Sequence, residues 1–207
     1  MHPSIFFRKP DKKYNIEFAR QRGFGTLVVN SVPVPLISHI PFLFSEDGTI
    51  LEFHLNLSNP IVKMLNGETE AVMVVSGGDA YISPDWYDVE NQVPTWNYVA
   101  VHVSGVLKKL PSGELHNTLS RLSAEMENRL LPKTPWEIDK MDERVYEKLK
   151  RQIVPISMQI SAIEGTWKLN QNKNESSRKG AAKGVRELQI GSDVNRIADL
   201  MEDLPGE

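Results

Sequence analysis

Leu51-Glu52-Phe53-His54-Leu55-Asn56-Leu57-Ser58-Asn59-Pro60 is the stretch on which the reading of the fold turns. Leu51, Phe53, Leu55 and Leu57 alternate with Glu52, His54, Asn56 and Ser58, so a strand here has one core face and one polar face. Asn59-Pro60 then combines a helix N-cap with proline at the first helical position, which predicts a short helix ending near Gly67. Toward the N-terminus, Phe24-Gly25-Thr26-Leu27-Val28-Val29 is β-rich, breaks at Asn30-Ser31-Val32-Pro33, and resumes from Leu36 to Phe44. Before it, Tyr14, Phe18 and Ala19 follow Asp11 and stop at Gly23, the pattern of a short amphipathic helix.

Toward the C-terminus, Ala71-Val72-Met73-Val74-Val75 predicts a short buried strand closed by a turn at Ser76-Gly77-Gly78. Residues 81–98 concentrate Trp, Tyr, Pro and Asp without a period and read as an ordered loop. Val99, Val101 and Val103 alternate with Ala100, His102 and Ser104 in another strand running toward Lys109. Leu115, Leu119, Leu122, Met126 and Leu130 have helical spacing over residues 112–131, and residues 143–152 form a second short helix. A β pattern over residues 153–163 leads into Gly165-Thr166-Trp167-Lys168-Leu169. About six strands with helices at the periphery make an α+β fold whose antiparallel sheet closes into a small barrel. Strands and long helices do not alternate, which argues against a doubly wound parallel sheet.

Composition narrows the chemistry. The 207 residues, 40% hydrophobic and 25% charged, are enough for an apolar core and too apolar for wholesale disorder. With no cysteine, a disulfide scaffold, a thiolate zinc site, an iron–sulfur cluster and a cysteine nucleophile are all excluded. A formal charge of −3 gives no general attraction to nucleic acid or an anionic membrane. The start lacks a signal-peptide apolar region and no run approaches a membrane span, so a soluble, cytoplasmic protein without a membrane partner is expected. His39, His54 and His102 lack the spacing of a metal motif, and Ser76-Gly77-Gly78 lacks the elbow of a serine nucleophile. Neither a Gly-x-Gly-x-x-Gly after a strand nor a Walker loop is present. Ser58, Asn59 and Lys63, at the strand-to-helix junction, are candidates for an anion site, against the alternative that Asn59 simply caps the helix. The rings of residues 81–98 must pack on a core, a partner subunit or a flat ligand.

Tyr81-Ile82-Ser83-Pro84-x-Trp86-Tyr87, Val93-Pro94-Thr95-Trp96-Asn97-Tyr98 and Trp167-Lys168-Leu169-x-Gln171-Asn172 carry a resemblance. With Ser38-His39-x-Pro41 and His54…Asn59-Pro60 in the same order, they make the chain similar to the PaiB family of FMN-binding negative transcriptional regulators. The resemblance spans nearly the whole chain and implies an antiparallel FMN-binding split β-barrel related to pyridoxamine 5′-phosphate oxidase. It implies a homodimer with FMN in a groove between subunits. The chain departs from the family pattern at Asn56, at Ile61-Val62 and at Gly78-Asp79. On this footing Ser58, Asn59 and Lys63 cradle the phosphate, while His54 and Asn56 face the groove. Ser38 and His39 meet the flavin edge, Trp96 and Asn97 reach it from the aromatic loop, and Lys168 is a charge partner. The domain expected is 1–169, with a helical insertion at 112–151, followed by a charged helical extension at 170–207.

Three functions compete: a flavin-binding regulator, an FMN-dependent oxidoreductase of a small molecule, and a split-barrel assembly module without cofactor. The regulator is the leading expectation, and no residue is named as catalytic. DNA binding has no support from charge or from a helix-turn-helix pattern. Only residues 168–186, with six bases against Glu175, could meet DNA phosphates, and the acids after Glu187 could fold back on them.

Overall fold

A computed structural model describes residues 1–65 and 67–206; Asn66 and Glu207, the last residue of the expected extension, lie outside the described residues. Among the described residues, eight strands form one sheet: β1 (Phe24–Val29), β2 (Leu36–Pro41), β3 (Leu43–Phe44), β4 (Ile50–Asn56), β5 (Thr69–Ile82), β6 (Thr95–Lys109), β7 (Ile153–Lys168) and β8 (Gly191–Ser192). The strand order is β2-β1-β5-β6-β7-β4-β3, with β8 added on β5. The helices are α1 (Lys12–Arg22), α2 (Pro60–Met64), α3 (Leu115–Glu127), α4 (Glu143–Lys150), α5 (Glu175–Leu188) and α6 (Val194–Glu202). The arrangement is the expected α+β split barrel with peripheral helices.

The chain divides into two compact units, each assembled from separate segments. The first unit holds Met1–Arg22, Val75–His102 and Ile163–Glu207; the second holds Gly23–Val74 and Val103–Ala162. In the second unit the alternation of β4 appears as a strict burial pattern, with Leu51, Phe53 and Leu55 buried. Leu27, Phe42, Met73, Leu107, Ile156 and Met158 of the same unit are buried with them and make up its apolar core. Strand β2 packs against β4 although the two stand near opposite ends of the strand order, so the sheet curls back on itself. In the first unit Ile82, Tyr87, Val99, Trp167 and Leu169 pack with Ala181 and Val185 of α5 and Ile197 and Met201 of α6. Residues of the 170–206 segment therefore contribute core to the first unit.

Two local expectations are corrected. The strand over 71–75 does not stop at Ser76-Gly77-Gly78: β5 runs straight through to Ile82. These glycines serve close approach, not a turn. A Cβ on Gly77 would sit 2.8 Å from the Phe18 ring of α1, and one on Gly78 would sit 2.7 Å from the Ser192 carbonyl oxygen of β8. Residues 81–98 are likewise not one loop. They comprise the end of β5, a 3-10 turn over Pro84–Tyr87 and the start of β6 at Thr95. Trp86 finds its partner within the chain, because α5 presents Gly180 and Gly184 to it. A Cβ on Gly184 would fall 2.4 Å from the Trp86 ring. Tyr87 is fixed by its own bonds, its hydroxyl donating to Asn170 Oδ1 at 3.3 Å and its carbonyl accepting from Ser177 Oγ at 2.7 Å.

Candidate functional site

Seven of the ten expected site residues lie in the second unit, on β2, β4, the β4–α2 junction and α2. The antiparallel β1–β2 register sets His39 opposite Thr26, and their side chains bond at 2.9 Å through His39 Nδ1. That leaves the other imidazole nitrogen of an exposed ring for a ligand. Asn56, at the end of β4, turns its Oδ1 back to accept from both the Ser58 backbone N–H (2.9 Å) and the Ser58 hydroxyl (2.7 Å). This local turn accounts for asparagine at a departure from the family pattern. Asn59 does two jobs. Its Oδ1 caps α2 by accepting from Ile61 N–H at 3.0 Å, and its Nδ2 donates to Ser38 Oγ at 3.0 Å, tying the helix to β2. The first donors of α2 are thus largely engaged, Val62 N–H also bonding the Asn59 carbonyl. Lys63 is exposed in the last turn of this five-residue helix.

His54 lies on the same β4 face as Glu52 and Asn56. Strand β4 sets it opposite Pro155 of β7, a residue without an N–H. Its Nδ1 is buried without a hydrogen-bond partner among the described residues, and burial lowers its pKa, which keeps the ring neutral near pH 7. Part of this face is occupied by the chain itself: α3 packs along β4, with Arg121 on Glu52. The Asn56 end stays exposed.

The remaining three expected residues belong to the first unit. Trp96 is 46% exposed and meets Tyr81 edge-on at 6.0 Å, and Tyr81 in turn meets Trp86 at 6.4 Å. Asn97 is fully buried, its Nδ2 donating to Met201 Sδ of α6 at 3.3 Å while its Oδ1 has no partner among the described residues. Lys168 donates to Thr95 Oγ1 and lies 6.0 Å from the Phe7 ring centre; burial lowers its pKa. Asp79, another departure from the family pattern, is engaged structurally. Its two oxygens accept from the Ser192 N–H at 3.2 Å and the Ser192 hydroxyl at 2.7 Å, holding β8 on β5.

The basic stretch is largely used up as well. Arg178 is buried and donates to the Met201 and Glu202 carbonyl oxygens at the end of α6. Arg186 pairs with Asp199 and Glu202, both at 2.8 Å, so the acidic segment does fold back on it. Lys179 pairs with Glu175. Thr26, Thr95 and Phe7 were not expected at the site. The hairpin pairing of residues 24–29 with 36–41 was the one sequence signal that could have found Thr26 beside His39.

Residues 1–162 match the family model described as "Putative FMN-binding domain". The chain belongs to this family. It is 29% identical to the protease synthase and sporulation protein PAI 2 of Bacillus subtilis over 98% of this chain and 97% of that protein. The PaiB-like motifs of the sequence therefore mark a true relative. The fold is shared with the FAD and heme binding protein of Mycobacterium smegmatis (TM-score 0.56, 11% identity, 78% of this chain and 73% of that one). It is also shared with the flavocytochrome Anf3 of Azotobacter vinelandii (TM-score 0.55, 11% identity, 81% and 72%). The cofactor of the family is FMN, and the donor set of β2, β4 and α2 fits it. Ser38, Asn56, Ser58 and Asn59 offer uncharged donors and acceptors and His54 a neutral ring, as the uncharged edge of a flavin ring requires, and His39 adds an exposed imidazole. His54 Nδ1, buried and unsatisfied, is a group that such an edge would satisfy. No helix among the described residues is long and apolar enough to cross a membrane.

Proposed function

We propose that this protein is a homodimeric flavin-binding regulator of the PaiB type, with FMN in the groove between subunits. Ser38, His39, His54 and Asn56 would line the flavin edge, with Ser58, Asn59 and Lys63 toward the phosphate. Within the first unit, Trp96 would supply an exposed ring face and Lys168 a cation, while Asn97 is held in the core by Met201. The observation that carries the reading is the set of polar side chains on β2, β4 and the β4–α2 junction, Asn59 on Ser38 and Asn56 on Ser58, with the neutral His54 on the Asn56 face of β4 and its Nδ1 without a partner among the described residues. A neutral, half-buried imidazole accepts or donates to a flavin edge without placing a charge beside it.

When bound, FMN supplies one- and two-electron transfer. The chain's own residues do the holding. The Asn59–Ser38 bond fixes the mouth of the site, the Asn56–Ser58 turn sets the path of the β4–α2 junction, and Thr26 orients the His39 ring. The regulatory role and a cytoplasmic setting are inferred from the PaiB-type motifs, which the likeness to PAI 2 over nearly the whole of both chains supports as a family relation. Regulation acts through another protein rather than by direct DNA contact, since the basic residues of α5 are paired or buried. The deciding experiment has three parts. Flavin identification from protein purified without added cofactor should find FMN, and sedimentation should give a dimer. A promoter gel shift at low salt should give no complex with the protein alone. Steady turnover of a small molecule with NAD(P)H would instead favour an FMN-dependent oxidoreductase.

A further inference from the structure

Past Asn56 the alternation of β4 continues for one more apolar residue, Leu57. The Leu57 N–H donates to the Gln152 carbonyl at 2.8 Å, and the Leu110 N–H, just after β6, donates to the Pro155 carbonyl at 3.0 Å. The ends of β4 and β6 therefore meet the start of β7. With the first residue of α3 and the last turn of α4 they enclose a cavity of about 350 Å³ within the second unit. That is near the lower end for small-molecule sites, about 300–1,000 Å³. Its apolar lining is wholly aliphatic: Leu57, Leu110, Leu115, Ile153, Val154 and Pro155. Leu115 is 4% exposed and Leu57 48%, so the cavity reaches from a buried leucine to one left half in water. None of the ten expected site residues lines it. The polar lining is Ser112, Glu147, Lys150 and Arg151. Lys150 Nζ donates to Glu147 Oε1 at 2.6 Å, whereas Arg151 has no ion pair among the described residues. The Glu147 carboxyl is held below its ordinary range, first by the Lys150 hydrogen bond and, against burial, by the charges of Lys150 and Arg151. One carboxylate against two cations leaves a single positive charge beside an aliphatic cavity.

We propose that this cavity binds a medium-chain aliphatic monocarboxylate, its chain among the leucines and Ile153 and its carboxylate on Arg151. The proposal goes beyond the flavin reading and does not rest on it. Three features select the ligand. The walls carry no aromatic ring on which a flat ring system could stack, while flexible methylene groups fill an aliphatic cavity and leave water as they enter it. The guanidinium fork of Arg151 matches a planar carboxylate with two parallel hydrogen bonds. The surplus of one charge balances a monoanion, whereas Glu147 repels the second charge of a phosphate or dicarboxylate. Ser112 adds a hydroxyl that can donate to the same anion. A cation after the last turn of α4 is favourable in itself, but that does not account for the aliphatic cavity beside it.

The test is calorimetric titration of the full chain with octanoate, octylammonium and butyrate, on wild type, Arg151→Glu and Leu57→Ser. Unfolding midpoints and sedimentation are measured on all three proteins. Wild type should bind one octanoate per chain, with a dissociation constant below about 1 mM. Octylammonium should bind roughly tenfold more weakly for want of the charge-assisted bonds, and butyrate roughly tenfold or more for want of buried methylene groups. Arg151→Glu should reverse the preference between octanoate and octylammonium, and Leu57→Ser should weaken both, at unchanged midpoints. Octanoate should leave FMN affinity unchanged. No binding of octanoate at millimolar concentration, or equal binding of the two eight-carbon ions, would overturn the proposal. So would a preference that survives Arg151→Glu. Displacement of FMN by octanoate would put the chain in the flavin site, and a change of oligomeric state in Leu57→Ser would give the cavity to a second copy; either result overturns the assignment. Because FMN is titrated separately, failure here leaves the flavin reading to stand or fall by itself.

Discussion

In the second unit, Ser38, Asn56, Ser58 and Asn59 stand at or near the surface, bonded mostly to one another over short stretches of chain. In the first unit the polar groups that matter are buried and bonded across long separations: Arg178 to the end of α6, Trp167 Nε1 to Asn15 Oδ1 at 2.8 Å, and Tyr87 to Asn170. The difference separates two tasks. Surface side chains held by local turns keep their remaining hydrogen-bonding capacity for a ligand, and losing one costs the fold little. Buried side chains that satisfy distant backbone groups spend that capacity on packing, and losing one leaves an unsatisfied group in the interior.

Substitutions should therefore sort by unit. The largest effect is expected in the first unit, where Gly184→Leu would drive a side chain into the Trp86 ring. A loss of about 3 kcal/mol in urea unfolding is expected, with a changed tryptophan emission. Arg178→Met removes the donor to the Met201 and Glu202 carbonyl oxygens and should cost roughly 2 kcal/mol while leaving FMN affinity unchanged. Should Arg178→Met weaken FMN as much as it weakens the fold, the division between the units fails.

Asn59→Ala, in the second unit, should behave in the opposite way. It removes a cap and the tie to Ser38, costs about 1 kcal/mol of stability, and lowers FMN affinity by at least tenfold in a fluorescence titration. The smallest effect concerns His54. Its pKa is lowered by burial, so the folded protein binds this proton less readily than the unfolded chain. Stability is full above about pH 6.5 and falls as pH drops below it. His54→Gln should flatten that slope without changing stability at pH 8. A steeper slope in the variant would show that another group carries the acid sensitivity.

How much of this was legible in the sequence depended on the range of the interaction. Strand β4 was readable because alternation is a local pattern and its apolar face is buried throughout. The α2 cap was readable for the same reason, since Asn59 and Ile61 are two residues apart. The passage of β5 through Gly77-Gly78 was not. A glycine pair reads as a turn unless one knows that Phe18 and Ser192, from distant parts of the chain, pack against it. Trp86 looked unpartnered because its partner is a bare helix surface at Gly180 and Gly184, where the residues that matter have no side chain to announce them. Arg178 read as part of a basic surface because its acceptors are backbone carbonyls, which no composition reveals. The coverage of β4 by α3 through Glu52 and Arg121 was hidden for the same reason of distance along the chain.

The most direct test is an FMN titration of the flavin-free protein beside a Ser38→Ala/His54→Ala double variant, with unfolding midpoints measured on both. If the polar face of β2 and β4 holds the flavin edge, wild type binds FMN and the double variant binds it at least a hundredfold more weakly, two lost hydrogen bonds of about 1.5 kcal/mol each, with little change in midpoint. Equal affinity in the two proteins, at equal stability, would place the flavin elsewhere and contradict the assignment.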